Sequence, residues 1–453
     1  MSNIQNTQFI ADDTPIYERV TGPGVGGIAT LVVDGKDVKS LLDGLFRGSR
    51  SLRNTQTGDL LFGRLCDASG ALVDEVIVAT LDAQASPTGN SQIELSCHGG
   101  EGVIAAVEEA LRQVGISRGR GVELLARAHL NGKLSLIAIE ARLRLTQATT
   151  ARQAELLLNH KSFQQRLERL GFDMAMSLRT KKEKNEDYRQ QLIQATRHEL
   201  NCATTALALL ARHHLVLCGP INAGKSTLAN RLAGADRHLV SEIPGTTRDR
   251  LDTPLALRGL NLLLTDTAGA SIARDEIEQE SQQRAHAAAA AADLRLLVLD
   301  GSKNPNESDL EFVSHTSHFG PALLVLNKQD MGIASNAREL RFLNGCEPVI
   351  VSACTGFGID KLEEAIEMWA LGGLAPDTSS AFTLRQINLL QCLHDDLKKG
   401  LTGTETLIYL RKLIGTRPDP EQLAAVFEEK KSNHSTQSHR VPIRGQAATQ
   451  RRC

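Results

Sequence analysis

The chain of 453 residues is longer than one hydrophobic core supports, so we expect two to four domains. Its net charge of −2 at pH 7 excludes a protein that binds nucleic acid through its overall charge, and any such contact needs a local patch. No stretch approaches the roughly 18 apolar residues of a membrane span, so no membrane contact is expected. The absence of a secretory leader and of CxxC pairs among the eight cysteines predicts a cytoplasmic protein with reduced thiols.

The first part of the chain, residues 1–118, is rich in glycine and β-branched residues and is predicted to form a small α+β domain. Apolar runs at Ile28–Val33 and Val73–Leu81 are typical of strands. The pairs Pro23-Gly24 and Ser69-Gly70 favour turns.

Helical patterns dominate two later parts of the chain. Residues 119–212 almost lose glycine and proline and carry apolar residues at helical spacing, which predicts the first part of a helical domain. Residues 373–429, after Trp369, are predicted to form its second part. Residues 430–453 are polar and basic and are predicted to be a disordered tail, for which solvation is favoured over RNA contact.

Residues 213–372 alternate short apolar runs with helical patterns, which is typical of a doubly wound, mostly parallel α/β sheet. The predicted strands are Leu215–Cys218, Leu260–Thr265, Leu294–Asp300, Ala322–Asn327 and Pro348–Ser352.

The strongest motif is Gly219-Pro-Ile-Asn-Ala-Gly-Lys-Ser226, which matches G-x-x-x-x-G-K-[ST] between a predicted strand and a helical run. Its glycines let backbone amides curl around phosphates, and the helix N-terminus adds a positive dipole. Lys225 is predicted to reach the β- and γ-phosphates, and Ser226 to bind Mg²⁺. The residues expected to contact the nucleotide are Gly219, Asn222, Ala223, Gly224, Lys225, Ser226 and Thr227.

A second motif, Asp266-Thr-Ala-Gly269, lies at the end of the predicted strand Leu260–Thr265. Asp266 is expected to hold Mg²⁺ and the Gly269 N–H to sense the γ-phosphate. Between these motifs lies the polar loop Gly245-Thr-Thr-Arg-Asp249. Thr247 is the preferred Mg²⁺ ligand there and Thr246 the alternative, while a loop that only caps a helix is the competing interpretation.

The motif Asn327-Lys328-Gln-Asp330 predicts selection of guanine. The Asp330 carboxylate can accept hydrogen bonds from guanine N1–H and from the 2-amino group, and adenine offers neither donor. The backbone of Ser352-Ala353 is predicted to contact the guanine O6. Apart from the loop Gly245–Asp249, these four motifs follow predicted strands, where open α/β sheets bind ligands, so the sequence predicts a GTP site.

Hydrolysis of GTP needs a group that orients water, and Ala270 stands where many GTPases place a glutamine. Glu278 is one candidate, although an acidic helix N-terminus is the alternative interpretation. Asn222 is the second, because an amide oxygen in the P-loop can ligate a monovalent cation that neutralises transition-state charge. Asn222 is equally well interpreted as a turn residue that tolerates an unusual φ.

Taken together, these motifs resemble the MnmE (TrmE) family of tRNA-modification GTPases, over about residues 12–427. Outside the P-loop domain the resemblance rests on four weaker motifs, whose order is informative. They are Gly22–Gly27, Gly70–Val76, Ile93–Gly100 and Arg127–Leu134.

The resemblance implies a P-loop GTPase domain inserted in a helical domain and preceded by an N-terminal domain that dimerises and binds a reduced folate. It implies potassium-dependent pairing of GTPase domains, with Asn222 binding K⁺ and Glu278 orienting the attacking water. The expected cofactors are GTP, Mg²⁺ and K⁺. A homodimer acting with a partner similar to MnmG (GidA) on the 5-position of wobble uridine in tRNA is the implied function.

Some residues depart from the family pattern. Residues 428–432 read Glu-Glu-Lys-Lys-Ser where the family carries Cys-Ile-Gly-Lys. His129 stands where phenylalanine is usual, and Ser135 where aspartate is usual. For the neighbouring Asn131 and Lys133, a structural role as helix caps is favoured over a place near the folate pocket. These departures leave open a regulatory GTPase of the same fold without tRNA-modification activity.

Overall fold

Helices and strands occupy most of the residues that the computed structural model describes. These residues are 13–22, 24, 26–179, 186–234, 252–266, 287–334, 347–374, 379–401, 404–416 and 426. They fall into two compact units, one within residues 1–143, 164–189 and 395–439, the other within residues 144–163 and 190–394. In these ranges no helix has the length and apolarity that a membrane span requires. The predicted disordered tail lies outside the described residues.

The first unit contains a seven-stranded sheet with the strand order β3-β4-β5-β6-β2-β1-β7. Neighbouring strands are antiparallel except β1 and β7, which are parallel. The strands are β1 (Ile16–Arg19), β2 (Ile28–Asp34), β3 (Phe46–Gly48), β4 (Leu60–Cys66), β5 (Leu72–Leu81), β6 (Gln92–His98) and β7 (Ser117–Arg118). The two strands predicted in this region are confirmed as β2 and β5, each longer by one residue.

One face of this sheet is buried because alternate residues of its strands are apolar. In β4, Leu61 and Leu65 point inward, and α2 covers them with Val107 and Leu111. Such period-two burial is typical of an antiparallel sheet that covers one core. The helices of the unit are α1 (Val38–Asp43), α2 (Glu101–Gln113), α3 (Glu123–Leu130), α4 (Leu136–Leu145), α6 (His160–Arg179) and α13 (Thr404–Ile414), with α4 and α6 each extending across the division between the units.

A buried ion pair attaches α3 to the sheet. Arg127 Nη1 lies 2.8 Å from Asp34 Oδ1 at the end of β2, and both side chains are almost completely buried. Arg127 Nη2 donates to the Thr14 carbonyl at 2.8 Å, and Gln92 Nε2 donates to Asp34 at 3.0 Å. Because a buried charge is costly without partners, this network requires both members of the pair.

Two further residues of the motif Arg127–Leu134 also make hydrogen bonds within the first unit. Asn131 donates to the Thr88 carbonyl at 2.8 Å, and Lys133 donates to the Gln84 carbonyl at 3.0 Å. The motif Arg127–Leu134 therefore holds the segment between β5 and β6, which agrees with the structural interpretation of Asn131 and Lys133.

We expect Arg127→Met to lower the local stability of the first unit by about 3–5 kcal/mol, because it leaves the Asp34 carboxylate buried without its cation. Hydrogen exchange of peptides from β2 and α3 in the full chain measures this loss. The double variant Arg127→Met with Asp34→Asn is the control, and it should recover much of the protection. Equal exchange in the single and double variants would contradict the assignment.

The second unit contains a six-stranded sheet with the strand order β13-β12-β11-β8-β10-β9. All neighbours are parallel except β9, which pairs antiparallel with β10. The strands are β8 (Arg212–Cys218), β9 (Asp252–Leu257), β10 (Leu260–Asp266), β11 (Leu294–Asp300), β12 (Ala322–Asn327) and β13 (Val349–Ile350). The predicted mostly parallel α/β sheet is confirmed, with β13 shorter than predicted.

Seven helices lie wholly or mainly in the described part of this second unit, and α7 and α12 each extend across the division between the units. They are α5 (Ala151–Leu158), α7 (Glu186–Leu210), α8 (Lys225–Ala233), α9 (described over 287–291), α10 (Glu307–Ser317), α11 (Ile359–Leu371) and α12 (Leu384–Lys398). A core of leucines from β8, β10 and β11 packs against α8 and α11 and against Leu156 and Leu209 of α5 and α7. The opposite face of the sheet packs against α9 and α10.

The turn between β9 and β10 is clamped by side chains from two helices. Thr150, at the N-cap of α5, donates to the Gly259 carbonyl at 2.7 Å. Arg152 donates to the Arg258 carbonyl at 2.8 Å, and its side chain lies where a Cβ of Gly259 would be. Glu367 of α11 pairs with both Arg152 and Arg258. Glycine is required at position 259, since its φ of +84° is also unfavourable for other residues.

Candidate nucleotide site

The loop 219–224 joins the carboxyl end of β8 to the start of α8, and two glycines make its shape possible. A Cβ at Gly219 would clash with the Val298 carbonyl of β11, and a Cβ at Gly224 would clash with the Asn327 amide. Gly224 has a φ of +90° and is the N-cap of α8. The N–H groups in the first turn of α8 have no partner within the helix, so the end of this loop can bind an anion.

The ammonium group of Lys225 lies inside the curl of this loop. Its Nζ donates to the carbonyl oxygens of Gly219 at 2.7 Å and Pro220 at 2.8 Å. Burial lowers the pKa of Lys225, and the nearby Asp266 carboxylate opposes that shift. The structure thus brings a partly desolvated cation and the predicted Mg²⁺-binding carboxylate to one end of the sheet.

Asn327 connects the P-loop to the loop that follows β13. Its Nδ2 donates to the Ala223 carbonyl at 2.9 Å, and its Oδ1 accepts from the Ala353 N–H at 2.9 Å. The side chain is 2% exposed, so both bonds are shielded from water. Asn327 therefore links the predicted phosphate subsite to the predicted guanine subsite, and its own contact with the nucleotide stays a prediction.

The predicted guanine-binding residues are brought together at the ends of β12 and β13. Ser352 Oγ donates to Asp330 Oδ1 at 2.5 Å, which orients the carboxylate. Lys328 has a φ of 67°, and its Nζ lies 2.8 Å from Asp300 Oδ2 at the end of β11. The Asp330 carboxylate is thus held by Ser352, and its contact with guanine stays a prediction.

Asn222 adopts the left-handed conformation, with a φ of 66°, and its side chain is exposed. Asparagine tolerates this region better than most residues, so the turn interpretation of Asn222 is confirmed. Its binding of K⁺ stays a prediction. The predicted residues Thr246, Thr247, Gly269 and Glu278 lie outside the described residues.

The described residues supply a partial set of oxygen donors for Mg²⁺. No group of three His, Cys, Asp or Glu side chains in these ranges is placed to hold a metal ion. Mg²⁺ is commonly held by one or two protein oxygens together with substrate phosphates and water. The Ser226 hydroxyl in the first turn of α8 and the Asp266 carboxylate at the end of β10 fit that requirement.

Two residues of the site were missed by sequence reasoning. Arg231 of α8 donates from Nε to the Ala353 carbonyl at 2.9 Å and from Nη2 to the Cys354 carbonyl, which fixes the loop after β13. Asp300 forms an ion pair with Lys328. Burial raises the pKa of Asp300, but the hydrogen bond from the Lys328 ammonium contributes to a pKa that is lowered overall. No spacing signal marks either residue, because each acts across elements distant in sequence.

Comparison with known proteins gives two family matches. Residues 15–133 match the family described as GTP-binding protein TrmE N-terminus, and residues 214–328 match the family described as 50S ribosome-binding GTPase.

Two relatives match over most of their length. The tRNA modification GTPase MnmE of Natranaerobius thermophilus is 30% identical over 405 residues, which cover 85% of this chain and 88% of that protein. The protein of the same name from Roseiflexus sp. is 32% identical over 420 residues, which cover 87% of this chain and 90% of that protein. Among solved structures, Aquifex aeolicus Era bound to GDP and AlF4⁻ aligns with a TM-score of 0.30 at 24% identity, covering 41% of this chain and 66% of that one.

We expect Asn327→Ala to weaken the binding of GDP and GTP by a factor of about 10 to 100, because two buried backbone groups lose their shared partner. Calorimetric titration with either nucleotide measures the change. Asn306→Ala is a matched control, since Asn306 only caps α10. The control should lower thermal stability and leave affinity unchanged. An affinity of Asn327→Ala within about twofold of wild type would contradict the bridging role.

Proposed function

Because this chain belongs to the MnmE family of tRNA modification GTPases, we propose that it is a potassium-activated, homodimeric GTPase that acts in modification of the 5-position of tRNA wobble uridine. That it is a GTP-hydrolysing enzyme follows from the family itself. The observation that carries the GTP-binding part of the proposal is the Asn327 bridge, which joins the P-loop to the loop that is predicted to bind guanine.

In the proposed complex, the amides of the P-loop and Lys225 bind the phosphates, and Asp330 binds the guanine edge. Ser226 and Thr227 start α8, where the helix dipole favours the negative charge of the phosphates. Mg²⁺ is held by Ser226, by Asp266 and by Thr247, with Thr246 as the alternative. The cation supplies charge stabilisation between the β- and γ-phosphates.

Hydrolysis in this proposal uses two groups outside the Mg²⁺ shell. The Asn222 amide binds K⁺ beside the phosphates, where a cation stabilises the charge that develops on the leaving group. Its exposed position in the P-loop supports that role, since an exposed amide is accessible to an ion. Glu278 orients the attacking water in place of the glutamine that Ala270 replaces.

An exposed apolar face of the first unit supports the homodimer. Leu60 and Phe62 of β4 and Ile77 of β5 are 68%, 64% and 43% exposed. Phe62 and Ile77 are direct cross-strand partners, so they form one continuous patch. Neighbouring apolar side chains of this kind on a sheet face typically mark an interaction surface. We propose that two copies of the N-terminal domain meet there.

The domain boundaries proposed from the sequence are an N-terminal domain at 1–118, helical parts at 119–212 and 373–429, and a GTPase domain at 213–372. We propose a reduced folate as a ligand of the N-terminal domain, and tRNA and a partner similar to MnmG (GidA) as the interacting molecules. The proposed location is the cytoplasm. The relatives that support these proposals carry the name tRNA modification GTPase.

A second candidate, a regulatory GTPase without tRNA-modification activity, is favoured only by residues 428–432, which replace the family's Cys-Ile-Gly-Lys. The other two departures have structural explanations. His129 is completely buried, and its Nδ1 lies 2.9 Å from the Leu134 carbonyl. The Ser135 hydroxyl accepts from the Ala138 N–H at the start of α4. His129 and Ser135 therefore do not indicate a changed activity.

We expect the GTP turnover number to fall at least about tenfold when K⁺ is replaced by Na⁺, because the smaller ion fits the site poorly. Asn222→Ala should remove the difference between the two ions. Glu278→Ala should lower turnover in K⁺ without changing GTP affinity, and Glu276→Ala is its matched control. Equal turnover of the wild-type protein in both salts would contradict the potassium mechanism.

The role in tRNA is tested by nucleoside mass spectrometry of bulk tRNA from cells with and without the gene. Loss of 5-substituted wobble uridines on deletion, restored by the wild-type gene and not by Lys225→Ala, is the expected result. Unchanged tRNA in a genome that holds no second chain with the Cys-Ile-Gly-Lys ending would favour the regulatory candidate.

A further inference from the structure

A continuous chain of side-chain hydrogen bonds crosses three strands of the second unit. Thr265 of β10 lies directly opposite Asp252 of β9 in the antiparallel pair. His214 of β8 is the diagonal neighbour of Thr265, since its own register partner is Leu263. His214 Nε2 lies 2.8 Å from Thr265 Oγ1, and the same hydroxyl binds Asp252 Oδ1.

The chemistry of the three groups fixes the direction of this chain. A carboxylate only accepts, so the single hydroxyl hydrogen of Thr265 is donated to Asp252. The oxygen of Thr265 must then accept from His214, which requires the proton on Nε2. Each bond polarises the next in the same direction, and bonds ordered in this way strengthen one another.

The His214 end of the chain is held in place by its backbone. The backbone N–H of His214 donates to Asp293 Oδ2 at 2.9 Å, and the Asp293 N–H donates to the His214 carbonyl at 2.9 Å. Thr265 is 6% exposed, so little water competes for its hydroxyl. The backbone that carries the His214 imidazole is therefore fixed on β8 by its two hydrogen bonds with Asp293.

The position of the chain relative to the nucleotide motifs gives it a role. Thr265 directly precedes Asp266, which is a Mg²⁺ ligand in the proposed function, on which this inference rests. We propose that His214, Thr265 and Asp252 are positioning residues that hold the end of β10, and with it Asp266, in a fixed place between β8 and β9.

A purely structural role does not require these residue types. The other residues of β10 between positions 260 and 264 are leucine and Asn261, and Val216 and Cys218 on the same face of β8 as His214 are buried and apolar. Valine would fill the place of Thr265 with nearly the same shape. Valine lacks the hydroxyl that makes both hydrogen bonds of the chain.

The test is the Mg²⁺ concentration that gives half-maximal GTP hydrolysis. We expect Thr265→Val to raise it by about tenfold, the change expected from losing a hydrogen bond to a charged group. Thr265→Ser keeps the hydroxyl and should restore the wild-type requirement. Adding His214→Ala to Thr265→Val should produce no further rise, because the chain is already broken.

Thr253→Val is the matched control, because it makes the same change in β9 at the residue beside Asp252, opposite Leu264. A general loss of strand stability would change both valine variants alike. Equal Mg²⁺ requirements in Thr265→Val and Thr253→Val, or no rescue by serine, would overturn the inference.

Hydrogen exchange of the nucleotide-free protein separates this inference from the proposed function. Thr265→Val should speed exchange in peptides that contain Asp252 and Thr265, while Thr265→Ser and Thr253→Val should not. A wild-type protein without Mg²⁺-dependent hydrolysis would contradict the proposed function, and exchange would still test the chain of bonds. Unchanged exchange in Thr265→Val would overturn the inference by itself.

Discussion

One buried amide at the end of β12 determines how the nucleotide site is assembled. Asn327 binds a carbonyl of the P-loop on one side and a backbone N–H after β13 on the other. Both partners belong to the main chain, so the bonds position whole loops rather than single side chains. This arrangement requires Gly224, since any Cβ there would occupy the place of the Asn327 amide.

Long basic side chains stabilise the loops of both units in a similar manner. Arg231 donates to two carbonyls after β13, and Arg152 donates to the turn between β9 and β10. Arg127 combines a carbonyl with the buried carboxylate of Asp34. Charge-assisted bonds of this kind are stronger than neutral ones, and a guanidinium can hold two acceptors in a fixed geometry. Irregular segments thereby acquire a defined shape without a core of their own.

Sequence reasoning succeeded best where burial leaves the simplest pattern. The strands Leu294–Asp300 and Ala322–Asn327 were predicted with the bounds that the structure has, because central parallel strands are apolar along their length. It was less accurate at the edge of the sheet, where the strand predicted at Pro348–Ser352 is reduced to Val349–Ile350. An edge strand is paired on one side only, so fewer hydrogen bonds fix its length. Ser352, predicted to be the last residue of this strand, instead lies in a turn where its Oγ accepts from the Thr355 N–H.

The sequence by itself determined the class of fold and predicted the chemistry of the site, because the P-loop and guanine motifs are local patterns whose spacing follows from the geometry of phosphates and bases. It also determined the family, through motifs spread along most of the chain. Only the tertiary structure decided which side chains hold those motifs in place. Asn327 and Ala223 are 104 residues apart, Arg231 and Ala353 are 122 apart, and His214 and Thr265 are 51 apart. Such contacts depend on strand order and register, which arise from packing of the whole sheet and leave no periodic signal in the sequence.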